Sequence, residues 1–291
     1  MFSKAYKIAT GFTQPVVASV ALMSGQSQSS IGSYVLLNDE GWIMTAAHMI
    51  EILIAAQQHE PLVANYNKQV AAINAAAGMM DIEKSRAIAN VPVNQGWITK
   101  FSYWWGIDGL TIDTFSVDRV KDIAVGKFTT PPPPRTNYPV FRNSAKQLTP
   151  GTSLCRLGFP FSEIATKLDP ATGNFQLDTS SFPIPYFPLD GIMTRNVNVI
   201  DPTNNERAHF IETSTPGLRG QSGGPIFDVD GHVCGLQSRT QHFPLGFDIN
   251  VKDLAGKEVT DRQYLHTGLG LHSDEIMAFL DAKAIAYQVA P

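Results

Sequence analysis

Gly220-Gln221-Ser222-Gly223-Gly224-Pro225 sets a serine between glycines, directly after Gly217-Leu218-Arg219. A serine hydroxyl is a weak nucleophile unless a base takes its proton and donors stabilise the oxyanion that forms. Glycine lets the chain turn sharply and leaves N–H groups uncovered. The N–H groups of Gly220 and Ser222 are therefore the candidate oxyanion donors. A Gly-rich turn holding a serine is also an ordinary structural feature, so the stretch needs partners elsewhere in the chain.

Two upstream segments supply them. In Gly41-Trp42-Ile43-Met44-Thr45-Ala46-Ala47-His48 an apolar strand runs into small residues and then a histidine, leaving room for an imidazole at a strand end. In Asp122-Ile123-Ala124-Val125-Gly126-Lys127-Phe128 an acid starts an apolar strand, at the edge of a buried surface. A histidine base needs such an acceptor for its other ring nitrogen. Alone, His48 reads as a packed core histidine and Asp122 as a solvated strand-edge acid. Together with Ser222, each in a fitting context, they read as a catalytic triad.

These blocks resemble the trypsin/chymotrypsin-fold serine proteases, and among them the bacterial Deg/HtrA-type protease domain. Ile31 to His48 is similar to that family's strand, turn and strand ending in Thr-Ala-Ala-His. Ser222 to Thr240 resembles the nucleophile, a hairpin turn at Asp230-Gly231 and the strand beside the substrate. Gly268 to Asp274 is similar to the last strand leading into a terminal helix. Residues 50–117 and 162–190 lie outside the resemblance.

The resemblance implies a mainly β fold of two six-stranded antiparallel barrels, with a helical insertion in the first and a C-terminal helix. The expected division is an N-terminal barrel over 1–130 with an insertion at about 50–90, a proline-rich linker at 131–137 and a C-terminal barrel with its helix over 138–291. Too few residues follow the protease unit for a PDZ domain, a departure from most Deg-type proteins.

Composition agrees with this scale. The chain has 291 residues, 43% of them hydrophobic, which allows a sizeable core. A net charge of −4 without a dense Lys/Arg block speaks against a nucleic-acid partner. No run of 18 apolar residues marks a membrane span. Thr10, Gly11, Thr13, Gln14 and Pro15 interrupt any apolar leader core, and Pro15–Met23 reads as a first barrel strand. Two cysteines, Cys155 and Cys234, with no leader favour buried thiols and a cytoplasmic location, while one disulfide between them stays open.

Within 50–90, Leu62, Tyr66, Val70, Ile73, Ala77 and Met80 recur at helical spacing, with Pro61 suited to a first turn and Val91-Pro92-Val93 as the stop. This stripe either packs on the barrel or forms a docking surface for a regulatory partner or self-association. Trp97 to Val117 returns to β-like composition. Pro131 to Pro134 suits a stiff crossing. Phe159 to Asp190 reads as a long loop bordering or covering the cleft, and Ser273 as the cap of a helix from about 274 to 284.

The implied chemistry is acyl-enzyme hydrolysis of protein or peptide bonds, without metal or cofactor. No cluster of His, Cys or acid residues has convincing metal-site spacing. Gln221 stands where digestive relatives carry the acid that pairs with a freshly cut N-terminus, so that activation route is not expected and loop 213–221 needs other order. By matching, Pro216 takes the pocket-floor position, which favours an uncharged, apolar primary side chain. Leu236, Gln237, Ser238, Arg239 and Thr240 are the expected substrate-binding strand. Two other readings compete: a non-catalytic binding module on the same barrels, and an α/β-hydrolase esterase through the Gly-x-Ser-x-Gly pattern. The latter needs a helix after the serine, which Pro225 and the turn at Asp230-Gly231 oppose.

Overall fold

A computed structural model describes residues 1–203 and 205–291. The chain opens with α1 (Ser3–Phe12), which the sequence reading missed. Its Ala5, Ala9 and Phe12 are fully buried at i, i+4, i+7 spacing. Then come β1 (Thr13–Leu22), β2 (Ser27–Leu36) and β3 (Trp42–Thr45). A 3-10 turn at Ala47–Met49 leads into α2 (Glu51–Ala75) and α3 (Asp81–Ala89). β4 (Ile98–Trp104), β5 (Ile112–Asp118) and β6 (Ile123–Phe128) complete an antiparallel six-stranded sheet in the order β4-β1-β2-β3-β6-β5.

The second half holds β7 (Val140–Phe141), β8 (Ser153–Gly158), β9 (Thr166–Leu168), β10 (Phe175–Leu177), β11 (Phe187–Ile200), β12 (Arg207–Thr213), β13 (Pro225–Phe227), β14 (Val233–Lys252) and β15 (Glu258–His272). α4 (Ser273–Asp281) and β16 (Gln288–Val289) close the chain. Here the sheet has eight strands, in the order β13-β8-β11-β12-β15-β14-β7-β16, and β13 also pairs with β14. Two of the eight, β7 and β16, are two-residue strands.

Strand alternation gives the first sheet two buried faces. Tyr34, Leu36, Ile43, Ala124 and Phe128 fill its own core with Trp105. Their neighbours Val35, Met44, Ile123 and Val125 face the other way and join Phe141, Leu157, Phe210, Phe227 and Leu271 of the second half, with α1 and α4, in one shared core. Burying a large apolar side chain contributes about 1.5–3 kcal/mol, so this shared layer fixes the two sheets against each other. His48, Asp122 and Ser222 sit along that junction.

The insertion differs from expectation in detail. α2 starts at Glu51, which puts Pro61 inside the helix rather than in its first turn. Its inward side is Ala56, with Leu53 on the first core and His59 Nδ1 accepting Ile98 N–H at 3.0 Å. Leu62 and Met80 are exposed, so the expected apolar stripe is only partly covered. The segment 159–190 is built, not a bare loop: β9 and β10 form a hairpin, and Phe159, Ile164 and Ile184 pack with Val17 of β1. The cap of α4 is His272, whose Nδ1 accepts the Asp274 N–H, rather than Ser273. No helix among the described residues is long and apolar enough to cross a membrane.

Candidate active site

His48 lies in the 3-10 turn after β3, and Asp122 is the last residue before β6. β3 and β6 are paired, Thr45 opposite Ala124, so the two side chains leave adjacent strand ends. Asp122 has φ 53°, a left-handed conformation that Asp tolerates better than most residues. Asp118 supports the turn by accepting the N–H groups of Val120 and Lys121, each at 3.0 Å.

The Asp122 carboxylate is fully engaged. His48 Nδ1 lies 3.0 Å from both its oxygens, and the His48 backbone N–H donates to Oδ1 at 3.0 Å. Ser238 Oγ, from β14, donates to Oδ2 at 2.5 Å. Burial disfavours the imidazolium, but the hydrogen bond and charge of Asp122 outweigh it and raise the His48 pKa. Burial would raise the Asp122 pKa, yet the His48 and Ser238 bonds leave it lowered. The acid is thus ionised and favours His48 with Nδ1 as the donor, leaving Nε2 as the free acceptor.

Ser222 sits on a tight loop between β12 and β13. Gly220 has φ 95° and Gly223 φ 80°. A Cβ on either would meet backbone atoms, Phe159 and Pro160 at Gly220 and Ser33 and Ala46 at Gly223. Glycine is therefore required at both positions. The loop docks on the first sheet through Ser33: its N–H donates to Ser222 O at 2.8 Å and its Oγ to Gly220 O at 2.7 Å. Among the described residues, the N–H groups of Gln221, Gly223 and Gly224 donate to carbonyls, whereas those of Gly220 and Ser222 have no acceptor. These two are the expected oxyanion donors. The Ser222 hydroxyl makes no hydrogen bond to His48 among the described residues; such catalytic contacts commonly tighten only on substrate binding.

Gln221 is fully buried, and its Oε1 accepts the Leu218 N–H at 3.0 Å while its own N–H donates to Leu218 O at 3.0 Å. The loop leading to Ser222 is therefore ordered by bonds between Leu218 and Gln221.

The expected substrate-binding residues separate into groups. Leu236 is a core residue, 1% exposed, with β13 on one side and β15 on the other. It has no free surface for substrate, which corrects its assignment. Gln237 exchanges backbone bonds with Gly223 and Gly224 at 2.8 Å each. Ser238 serves Asp122, and Thr240 Oγ1 donates to Gly217 O at 2.6 Å. Arg239 is exposed, and Pro216 is half-buried just before Gly217. Both cysteines are free and buried, and burial pushes each thiol up to about 12. One cluster escaped the sequence reading: Asp228, Asp230 and His232 bring possible metal-ligand atoms within 4.8 Å of one another. The Asp228 carboxylate is, however, already held by Arg142 at 3.0 Å and by the Asp230 and His232 N–H groups.

One antiparallel sheet and one mainly antiparallel sheet, with His48, Asp122 and Ser222 at their junction, have the form of a chymotrypsin-like serine hydrolase. The family profile described as "Trypsin-like peptidase domain" matches residues 32–236, most of the chain. The chain belongs to this family and is a serine protease acting on protein or peptide substrates. It is similar to the solved active form of the Rv3671c protease from M. tuberculosis, at 15% identity and TM-score 0.50, covering 98% of this chain and 86% of that one. It is also similar to an HtrA-type protease, AlgW with tripeptide, at 15% identity and TM-score 0.48, covering 98% of this chain and 65% of that one. No curated protein matches it in sequence. The mainly antiparallel topology, with strand β13 rather than a helix following the serine, excludes the α/β-hydrolase alternative.

Proposed function

We propose that His48, Asp122 and Ser222 form the catalytic triad of a serine endopeptidase, with Gly220 and Ser222 as its oxyanion hole. His48 Nε2 takes the Ser222 proton as Oγ attacks the scissile carbonyl. The carbonyl oxygen gathers charge against the two unengaged N–H groups. Collapse of the tetrahedral species breaks the C–N bond, and His48 returns the proton to the leaving amine. Water, deprotonated by His48, then cleaves the acyl-enzyme ester and restores Ser222. These steps require no metal or organic cofactor.

The observation that carries this reading is the Asp122 carboxylate gripping both the ring and the backbone of His48. A second reading, a barrel kept as an inert binding module, draws on the lack, among the described residues, of a Ser222–His48 hydrogen bond. Active-site labelling by an organofluorophosphonate, compared with Ser222→Ala, decides between them. Labelling abolished by the substitution supports the triad, and an unlabelled native protein supports the module.

For the insertion, we favour recruitment of a regulatory partner or self-association, supported by exposed Leu62, Met80 and Ile82. A cytoplasmic location is our proposed compartment, supported by two buried, unpaired thiols.

A further inference from the structure

A buried cation stands behind the nucleophile loop without an acid to balance it. Arg156, on β8, is 2% exposed. Its Nη1 donates to Thr215 O at 2.9 Å and its Nη2 to Thr213 Oγ1. The guanidinium lies against the bare Cα of Gly268 on β15, where any side chain would collide with it. No carboxylate pairs with it among the described residues. The nearby Glu212 is taken by Arg195, Thr194 and Thr267. Burial lowers the Arg156 pKa to about 10, so the group is still charged at neutral pH.

Two further polar atoms nearby lack partners among the described residues. Thr215 Oγ1 and Gln237 Oε1 are buried without a hydrogen bond. The Gln237 side chain, 1% exposed, packs against the bare Cα of Gly217, and its Nε2 donates to Arg239 O at 3.2 Å. Segment 213–217, which leads into the nucleophile loop, is thus gripped by Arg156 at one end and by Gln237 and Thr240 at the other. Gln237 is also bonded through its backbone to Gly223 and Gly224, the two residues after Ser222. The polar cluster therefore adjoins the reaction centre.

Keeping a charge buried without a counter-charge is costly, and an orphaned polar atom adds to that cost. An anion delivered by a ligand would supply the missing counter-charge of Arg156 and an acceptor for the Thr215 hydroxyl. We propose that Arg156, Thr215 and Gln237 form the floor of the primary specificity pocket, and that the pocket takes an acidic side chain, Asp or Glu, on the residue whose carbonyl Ser222 attacks. The carboxylate supplies the missing partner of the guanidinium, a charge-assisted contact suited to Arg. The Thr215 hydroxyl donates to it. The terminal amide of Gln237, at the end of a flexible side chain, swings from Gly217 to admit it. This rests on the protease reading above and replaces the apolar preference drawn from Pro216. Arg156 lies 60 positions before Pro216 in the chain, so no local pattern links it to the pocket.

The test is cleavage of fluorogenic peptides that differ only at the residue before the scissile bond: Glu, Asp, Ala, Leu or Lys. Acidic peptides should exceed the others by about tenfold or more in kcat/KM. A preference for apolar or basic residues would overturn the pocket. In Arg156→Met the ratio of Glu to Leu cleavage should fall to one or below; an unchanged ratio makes Arg156 a mere clamp on the loop and refutes the proposal. If that variant does not fold, the native profile decides alone. If the native protein fails to label with a fluorophosphonate, the protease reading falls, and the pocket is tested separately on Ser222→Ala. Peptides ending in Glu should then bind that variant about tenfold more tightly than peptides ending in Leu. Equal binding would reject the pocket.

Discussion

Ser238 Oγ donates a 2.5 Å hydrogen bond to Asp122 Oδ2, joining a strand of the second sheet to the acid carried by the first. Asp122 is therefore held from both halves, by His48 on the first and by Ser238 on the second. Ser238 is 4% exposed, so water does not readily replace its hydroxyl. Ser238→Ala should cost about 1.5–3 kcal/mol of stability, the usual worth of a hydrogen bond to a charged group. It should also lower kcat by about tenfold as the imidazole loses its fixed partner. Chemical denaturation and peptide kinetics on the same variant check both effects; a stable variant with full kcat would deny Ser238 this supporting role.

Activity and ion-pair stability should depend on pH in opposite senses. The His48 pKa is raised above its ordinary 6.5 and that of Asp122 is lowered below 3.8. The stability that His48 contributes is present below about 6.5 and lost as pH rises through its higher folded value. That of Asp122 is present above its unfolded value and lost as pH falls through the depressed one. The ion pair is thus strongest on the acid side of neutrality. The base works only when neutral, so kcat/KM should rise with pH and reach half its maximum above pH 6.5. A rate profile flat from about pH 5 to 8 would argue against a histidine base.

Gln221→Ala removes the acceptor for the Leu218 N–H and leaves a gap where a buried amide now packs. The Gly220 N–H should lose its aim, and kcat should fall by about a hundredfold, the scale of a misplacement near 1 Å. KM should change less, since substrate also binds through other contacts. Unaltered kcat would mean that the loop is held without Gln221.

The candidate triad could be read locally because each residue sits in a short, specific block: Thr45-Ala46-Ala47-His48, Asp122 before an apolar strand, and Ser222 among glycines. The barrels were legible through strand alternation and turn residues. What failed were features set by distant contacts. α1 is held by Ala5 and Ala9, small residues whose burial depends on the second half of the chain. The long β14–β15 ribbon, with Phe247 and Leu254 exposed, has no compact core to announce it. Leu236 was read with the expected substrate strand 236–240, yet its side chain packs in the shared core. The ties of Ser238 to Asp122 and of Arg156 to Thr215 span 116 and 59 positions, beyond the reach of any local pattern.

Exposed Leu62, Met80 and Ile82 on the insertion carry the recruitment proposal. Replacing all three with Ser should leave thermal stability nearly unchanged, since surface substitutions usually stay within about 0.5 kcal/mol each. If the insertion drives self-association, light scattering should give the native protein a mass above its 31.7 kDa and the triple variant the monomer mass. Assembly unaffected by the substitutions would place that contact elsewhere.

The most direct measurement is peptide-bond hydrolysis by the purified protein beside Ser222→Ala and His48→Ala, with folding verified by circular dichroism. The native protein should cleave, and each variant should lose activity by about three or more orders of magnitude, because triad members act as a unit. Cleavage by folded Ser222→Ala at the native rate would contradict the account.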